Sequence, residues 1–315
     1  MINRELIRIK AVQLTYAYFQ NGNNKIDNAE KELLFSLSKA YHLYNNLLLL
    51  IVATTRMSRK HYDFAVAKAE REGGEMPSPR FAFNKFAVQL EENKELRTFA
   101  EEQKDIWEDR TEFVKNLFVR IEQSETYNEF MASEDDDYET HREVWRRIYK
   151  QFIQGNPELD SILEEVSLYW NDDKDVVDTF VLKTIKRFDP KKNNKQELLP
   201  EYTDEEDKEY ARKLFRATIL NAEQYQRYMT EASRNWDFKR LAYMDVVIMQ
   251  LAIAEMLTFP NIPINVTINE YVELAKLYST PRSGGYINGM LDTIARHLIS
   301  NGKMMKQMPE KKVKQ

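Results

Sequence analysis

The sequence predicts an all-α protein. Apolar residues recur at steps of three and four along nearly the whole chain, the spacing that lines one face of a helix. Glycine is scarce, 8 in 315 residues, so the periodic segments are interrupted only by a few short clusters of Asn, Gly, Pro and acidic residues.

Residues 3–20 place Ile7, Ala11, Leu14 and Tyr18 on one stripe, with Arg8 at its edge, a position expected to be surface-exposed. NGNN at 21–24 reads as a turn. A second amphipathic segment, 28–56, contains the apolar block LLLLIVA, and REGGEMPSP at 71–79 reads as a loop. Residues 81–131 return to helical spacing, with Phe113, Leu117 and Ile121 as core candidates. The acidic run EDDDYE precedes a helix at 140–153, and GNPELD breaks the chain at 155–160. The stretch 188–207, FDPKKNNKQELLPEYTDEED, is the most loop-like and the best boundary. Four helices are expected after it. The first spans 208–233. The second, 238–257, is apolar nearly all round and belongs at the centre of a bundle. The third, 266–279, opens on Thr267 with Glu270 three residues on, a capping-box pattern. The last spans about 282–299.

Hydrophobic residues make up 43% and charged residues 31% of the chain, a globular balance. The longest apolar run is far short of a membrane span, and charges interrupt the N-terminal segment where a secretion signal would need an apolar core. A cytoplasmic location is expected. There is no cysteine, which removes disulfides, thiol catalysis and thiolate metal sites. The net charge of −5 argues against a uniformly basic coat but leaves room for local clusters. Two such clusters stand out: Arg4, Arg8 and Lys10 on the first helix, and the tail lysines Lys303, Lys306, Lys311, Lys312 and Lys314.

No catalytic pattern emerges. His42, His61, His141 and His297 are scattered, and the metalloprotease, dinucleotide, P-loop and nucleophile-elbow patterns are all missing. The expectation is a protein that is not an enzyme, with no cofactor and no metal.

TPRSGGYINGMLD, 280–292, concentrates Gly284, Gly285 and Gly289 beside Arg282. Pro281 forces a turn, and Ser283 can cap the final helix. Glycines in its first turn leave backbone N–H groups open at the positive end of the helix dipole, a ready anion site. Tyr286 offers a ring on which a base can stack. The same glycines can instead serve packing, with Gly285 and Gly289 allowing another helix to approach.

Three segments resemble the NusB family of transcription antitermination factors. They are the Asp-initiated apolar helix ending in Ala-x-x-Glu-x-Leu, the INEYVELAK helix and YINGMLD; the first helix, RELIRIKAVQLTYAYF, is similar as well. The resemblance covers about 1–20 and 203–300. It implies a NusB-like helical bundle with a large helical insertion after the first helix: residues 1–24 as the first helix, 25–200 as the insertion, 201–300 as the C-terminal helical domain, and 301–315 as a basic flexible tail. It further implies binding of a single-stranded boxA-type element in ribosomal RNA leaders, together with the ribosomal protein NusE, in support of RNA polymerase elongation.

By that resemblance Arg4, Arg8 and Gln13 join Arg282, Ser283 and Tyr286 in one RNA-binding face, with Lys10 in the same basic cluster, and Asp245 contacts NusE. The family's arginine run is thinned here, with Glu5 and Leu6 between Arg4 and Arg8, and Gly285 stands where a lysine is common. The competing expectation is a helical protein–protein scaffold in which the insertion is the main binding surface.

Overall fold

The computed structural model describes residues 1–22, 25–233 and 241–308, and these form fourteen α-helices. In chain order they are α1 (Arg4–Gln20), α2 (Ile26–Glu72), α3 (Lys85–Glu91), α4 (Lys94–Glu102), α5 (Thr111–Glu122), α6 (Glu125–Ala132) and α7 (Tyr138–Ile148). Then come α8 (Pro157–Val166), α9 (Lys174–Arg187), α10 (Glu205–Leu220), α11 (Ala222–Ala232), α12 (Tyr243–Thr258), α13 (Ile264–Tyr278) and α14 (Ser283–Ser300). Among the described residues the only β pairing is an isolated parallel bridge between Ile2 and Tyr202.

Several helix limits differ from the sequence expectation for identifiable reasons. The second helix does not stop at 56. It continues to Glu72 and ends where Gly73 adopts φ +70°, a left-handed conformation that glycine tolerates and that lets Gly74 N–H bond Ala69 O. Residues 81–131 are several short helices, because Asn84, Asn93 and Ser124 each turn a side-chain oxygen onto the next helix's free amides. The helix expected at 208–233 divides at Asn221, whose side-chain amide instead bonds back to Ala217 O. Residues 149–153 continue α7 as one π-helical turn.

The chain forms two compact units, one of Met1 and Ser38–Glu201, the other of Ile2–Leu37 and Tyr202–Gln315. The first is built on the later turns of α2, where Leu47 to Val52 are all buried. Buried aromatic side chains fill the rest, and two of the indoles tie the core to α2: Trp107 Nε1 donates to Asn46 O and Trp170 Nε1 to Lys39 O, both at 2.7 Å. The Tyr44 hydroxyl lies 2.6 Å from Thr184 Oγ1.

In the second unit α12 is the axle. Every residue from Asp245 to Met256 is buried, as an all-round apolar helix requires. Around it pack α1, α10, α11, α13 and α14. The first turns of α2 are tied to α10 by Glu30, which accepts from Arg212 at 3.0 Å and from Arg216. Beyond α14 the chain stays on this unit: Met304 is buried, Lys306 Nζ donates to Ile262 O at 2.7 Å, and Lys303 sits over the Tyr228 ring. The start of the expected flexible tail is thus packed, while Lys311, Lys312 and Lys314 lie outside the described residues.

Candidate nucleic-acid interface

Three helix ends of the second unit meet at one corner: the start of α12, the end of α13 and the start of α14. Ser279 closes α13 by bonding its N–H to Ala275 O, Pro281 prevents continuation, and Ser283 N–H turns back to Thr280 O. The corner is held by Asp245, whose carboxylate accepts the Ser279 hydroxyl at 2.5 Å and the Ser283 hydroxyl at 3.1 Å. Ser283 Oγ in turn accepts Thr280 N–H at 3.3 Å.

These bonds correct two expectations. Ser283 does not cap α14, since its hydroxyl is committed to Asp245 and Thr280, and α14 begins without any side-chain cap. Asp245 is only 5% exposed. It is an internal brace of the corner, poorly placed to meet a partner protein directly.

The glycine cluster also resolves. A Cβ on Gly284 would stand 3.3 Å from Lys276 Cγ and 3.6 Å from Val272 Cγ1, so this glycine lets α14 lie against α13. Gly285 and Gly289 face open space, and among the described residues no helix makes the close approach expected at those two. The first turn of α14 therefore has no side-chain cap, with Gly285 and Arg282 exposed, Arg282 without an ion pair among the described residues, and Tyr286 half-buried. Burial, and then the negative charge of Asp245, push the Tyr286 phenol above its ordinary range.

The second half of α1 reaches the same corner. Gln13 Nε2 donates to the Tyr278 hydroxyl at 3.0 Å, and the Tyr16 and Tyr243 rings meet edge to face at 5.7 Å. Tyr243 remains 41% exposed. Neither contact is conspicuous in the sequence, because the residues come from helices far apart in the chain.

The first half of α1 is a different environment. Arg8 is 5% exposed, not a surface residue. Its Nε and Nη2 grip the two oxygens of Glu255 at 2.8 and 3.1 Å, and Nη1 reaches Glu270 at 2.9 Å. Glu255 also accepts Thr267 Oγ1 at 2.7 Å, Tyr271 at 3.3 Å and the Tyr210 hydroxyl. Thr267 and Glu270 are thereby used inside this cluster and do not form a capping box; α13 starts earlier, at Ile264. Burial alone would raise the Glu255 pKa, but the bonds and charge of Arg8, with the Tyr210 and Thr267 hydroxyls, outweigh it and hold the carboxyl below its ordinary value.

Lys10 is 1% exposed, so it too is withdrawn from solvent. Arg4 keeps about a third of its surface but pairs with Glu206 at 3.1 Å and Asp207 at 3.6 Å, over the Tyr210 ring. Gln13 follows Arg8 by five residues, roughly 140° round the helix. The arginine end of α1 and the start of α14 therefore do not make one continuous basic face: of the expected set, Gln13, Ser283, Arg282 and Tyr286 gather at the corner, and Arg4, Arg8 and Lys10 do not.

A model of the NusB family matches residues 176–296. The match begins within α9 and omits α1, which the structure nevertheless packs with α10 and α12. The chain is 43% identical over 90 residues to the transcription antitermination protein NusB of Natranaerobius thermophilus, covering 29% of this chain and 65% of that one. To the NusB of Salinibacter ruber it is 35% identical over 99 residues, 31% of this chain and 62% of the relative. To that of Geobacter sulfurreducens it is 40% identical over 93 residues, 30% and 67% respectively. The chain thus spans a little under two thirds of the length of the first two of these relatives. No solved structure matches it.

Proposed function

The chain belongs to the NusB family, and from that premise we propose that it is a transcription antitermination factor. It binds a single-stranded boxA-type element of ribosomal RNA leaders jointly with the ribosomal protein NusE, supports elongation by RNA polymerase, and acts by assembly, without catalysis. The observation that carries the RNA assignment is the start of α14, where a helix end without a side-chain cap, exposed Arg282 and Gly285, and the Tyr286 ring lie together. The positive helix end and a guanidinium suit a phosphate, and the ring suits a base.

In this reading Arg282 and the α14 amides hold phosphate, Tyr286 stacks, and Gln13 borders the site. Ser283 and Asp245 position the turn. Arg4 adds a partly neutralised charge at a distance, while Arg8 and Lys10 act through the fold. The NusE partnership follows from family membership, and no residue here is assigned to it.

The test is a titration of labelled leader RNA at two salt concentrations, with and without NusE. Binding should tighten with NusE and weaken with salt. Arg282→Ala should reduce the salt dependence, and Tyr286→Ala should cost roughly 1–3 kcal/mol of binding. No binding under either condition would favour the scaffold reading, with the first unit as the partner surface.

A further inference from the structure

The C-terminal end of α9 and the turn after it carry six cations between residues 183 and 195 (Lys183, Lys186, Arg187, Lys191, Lys192 and Lys195) against a single acid, Asp189, in a chain whose net charge is −5. All six are exposed, and none has an ion pair among the described residues. Lys183, Lys186 and Arg187 fall at helical steps of three and four, on one face of α9. Basic residues in a helix's last turn are ordinary companions of its dipole. That explanation stops at Phe188 and does not reach the three lysines of the turn.

The turn is built with care. Gln89 on α3, 7% exposed, donates its amide to Asp189 O and Asn193 O, both at 2.9 Å, while its own oxygen accepts the Tyr138 hydroxyl. Fully buried Asn93 donates to Gln196 O at 2.6 Å, and Gln196 Oε1 accepts Asp189 N–H at 3.1 Å. Arg142 Nη1 donates to Phe188 O at 2.9 Å. These side chains hold Asn193 at φ +46°, ψ −137°, a strained conformation for a residue with a side chain. Strain of this kind persists only where the surroundings over-determine it, and here its effect is to fix the turn that displays Lys191, Lys192 and Lys195.

The bordering acids do not cancel the patch. On α7, Glu139 is taken by Arg142, and Glu143 by Arg146 at 2.6 Å. Exposed Glu197 follows the turn in sequence, on the far side of buried Gln196. The apolar residues within the segment, Ile185 and Phe188, are buried, so the patch lacks the exposed apolar edge that membrane-surface helices insert. The cations are strung along a helix face and a turn, and none of the six is buried. That spacing suits a repeating polyanion better than a single small anion.

We infer that the end of α9 and the 189–196 turn form a sequence-independent binding surface for the phosphate backbone of single-stranded RNA, separate from the α14 corner. The surface goes beyond the proposed function, since it lies in the other compact unit and does not depend on boxA recognition.

The test uses the full chain and a labelled oligouridine with no boxA-type element. Affinity is measured across a salt series for the unaltered chain and for Lys191→Gln/Lys192→Gln/Lys195→Gln, which keeps most of each stem. The variant should bind more weakly, and the slope of log K against log salt should fall by about 2, at roughly 0.7 per single-strand phosphate contact. A melting curve checks that the variant is folded. Arg282→Ala/Tyr286→Ala should leave that lysine-dependent share of the slope in place, so failure of the α14 reading is distinguishable from failure of this one. Unchanged affinity and slope in the triple variant would overturn the inference. So would lysine-dependent binding to phosphatidylserine vesicles with none to oligouridine.

Discussion

Arg8 and Glu255, 247 residues apart in sequence, meet in a two-point ion pair inside the second unit, Nε to Oε2 at 2.8 Å and Nη2 to Oε1 at 3.1 Å. The pair places a guanidinium that looks like an RNA contact in the sequence at the structural centre of α1, α12 and α13.

Arg8→Ala should therefore behave as a folding mutation. It leaves Glu255 buried and charged, a loss typically of about 3–5 kcal/mol. Urea unfolding should show that drop in unfolding free energy, with a correspondingly lower midpoint. Arg282→Ala, at an exposed turn, should leave the unfolding free energy within about 0.5 kcal/mol of the parent. A stable Arg8→Ala protein with selectively weakened RNA binding would contradict this division of roles.

The same pair sets a pH dependence. Glu255 is held below its ordinary value in the fold, so the unfolded chain binds the proton more readily. Its contribution is complete above the unfolded carboxyl value, about 4.3, and is lost as pH falls through the lower folded value. Melting temperature followed downward from pH 5 should fall in the parent. The acid-induced fall should be shallower in Glu255→Gln, which begins from lower stability.

Glycine substitutions separate packing from exposure on α14. Gly289→Ala faces open space in a helix interior and should stabilise by roughly 0.5–1 kcal/mol. Gly284→Ala meets Lys276 and Val272 and should gain less or destabilise. Thermal melts of the two variants should rank in that order.

His141, in the first unit, is 2% exposed. Its Nδ1 accepts Lys85 N–H at 3.1 Å and its Nε2 lies 2.7 Å from Asp136. Burial lowers its pKa despite the opposing effect of Asp136. The fold thus prefers the neutral ring, and the stability this brings is present above the ordinary histidine value of about 6.5 and declines as pH drops from there toward the folded value. NMR should find the Nε2–H tautomer at neutral pH and a midpoint below 6.5. Titration above 6.5 would contradict the buried geometry.

The helical class and the central place of α12 were legible because both rest on apolar periodicity, which the core must satisfy. Arg8 is not legible from its helix alone: at the edge of a stripe, exposure depends on whether a partner charge exists, and that partner is 247 residues away. Glu255 carried the missing signal, since an acid within an all-apolar helix needs a buried cation. The glycines of α14 stand out in a glycine-poor sequence, but which of them packs depends on where Lys276 and Val272 lie. The turn at 189–196 looked like a loose connector because its order comes from amides on α3 and at Asn93, outside the segment itself.

The discontinuous second unit has a consequence for synthesis. At about 5–20 residues per second, roughly 12–50 s separate the making of Arg8 from the making of Glu255. Throughout that interval the apolar side chains of α1 have no α12 to cover them, while the entire 38–201 segment emerges and has its own core residues in hand. The unit whose first helix appears first is thus the last to close on the ribosome, and its nascent first helix waits uncovered while the other unit is completed.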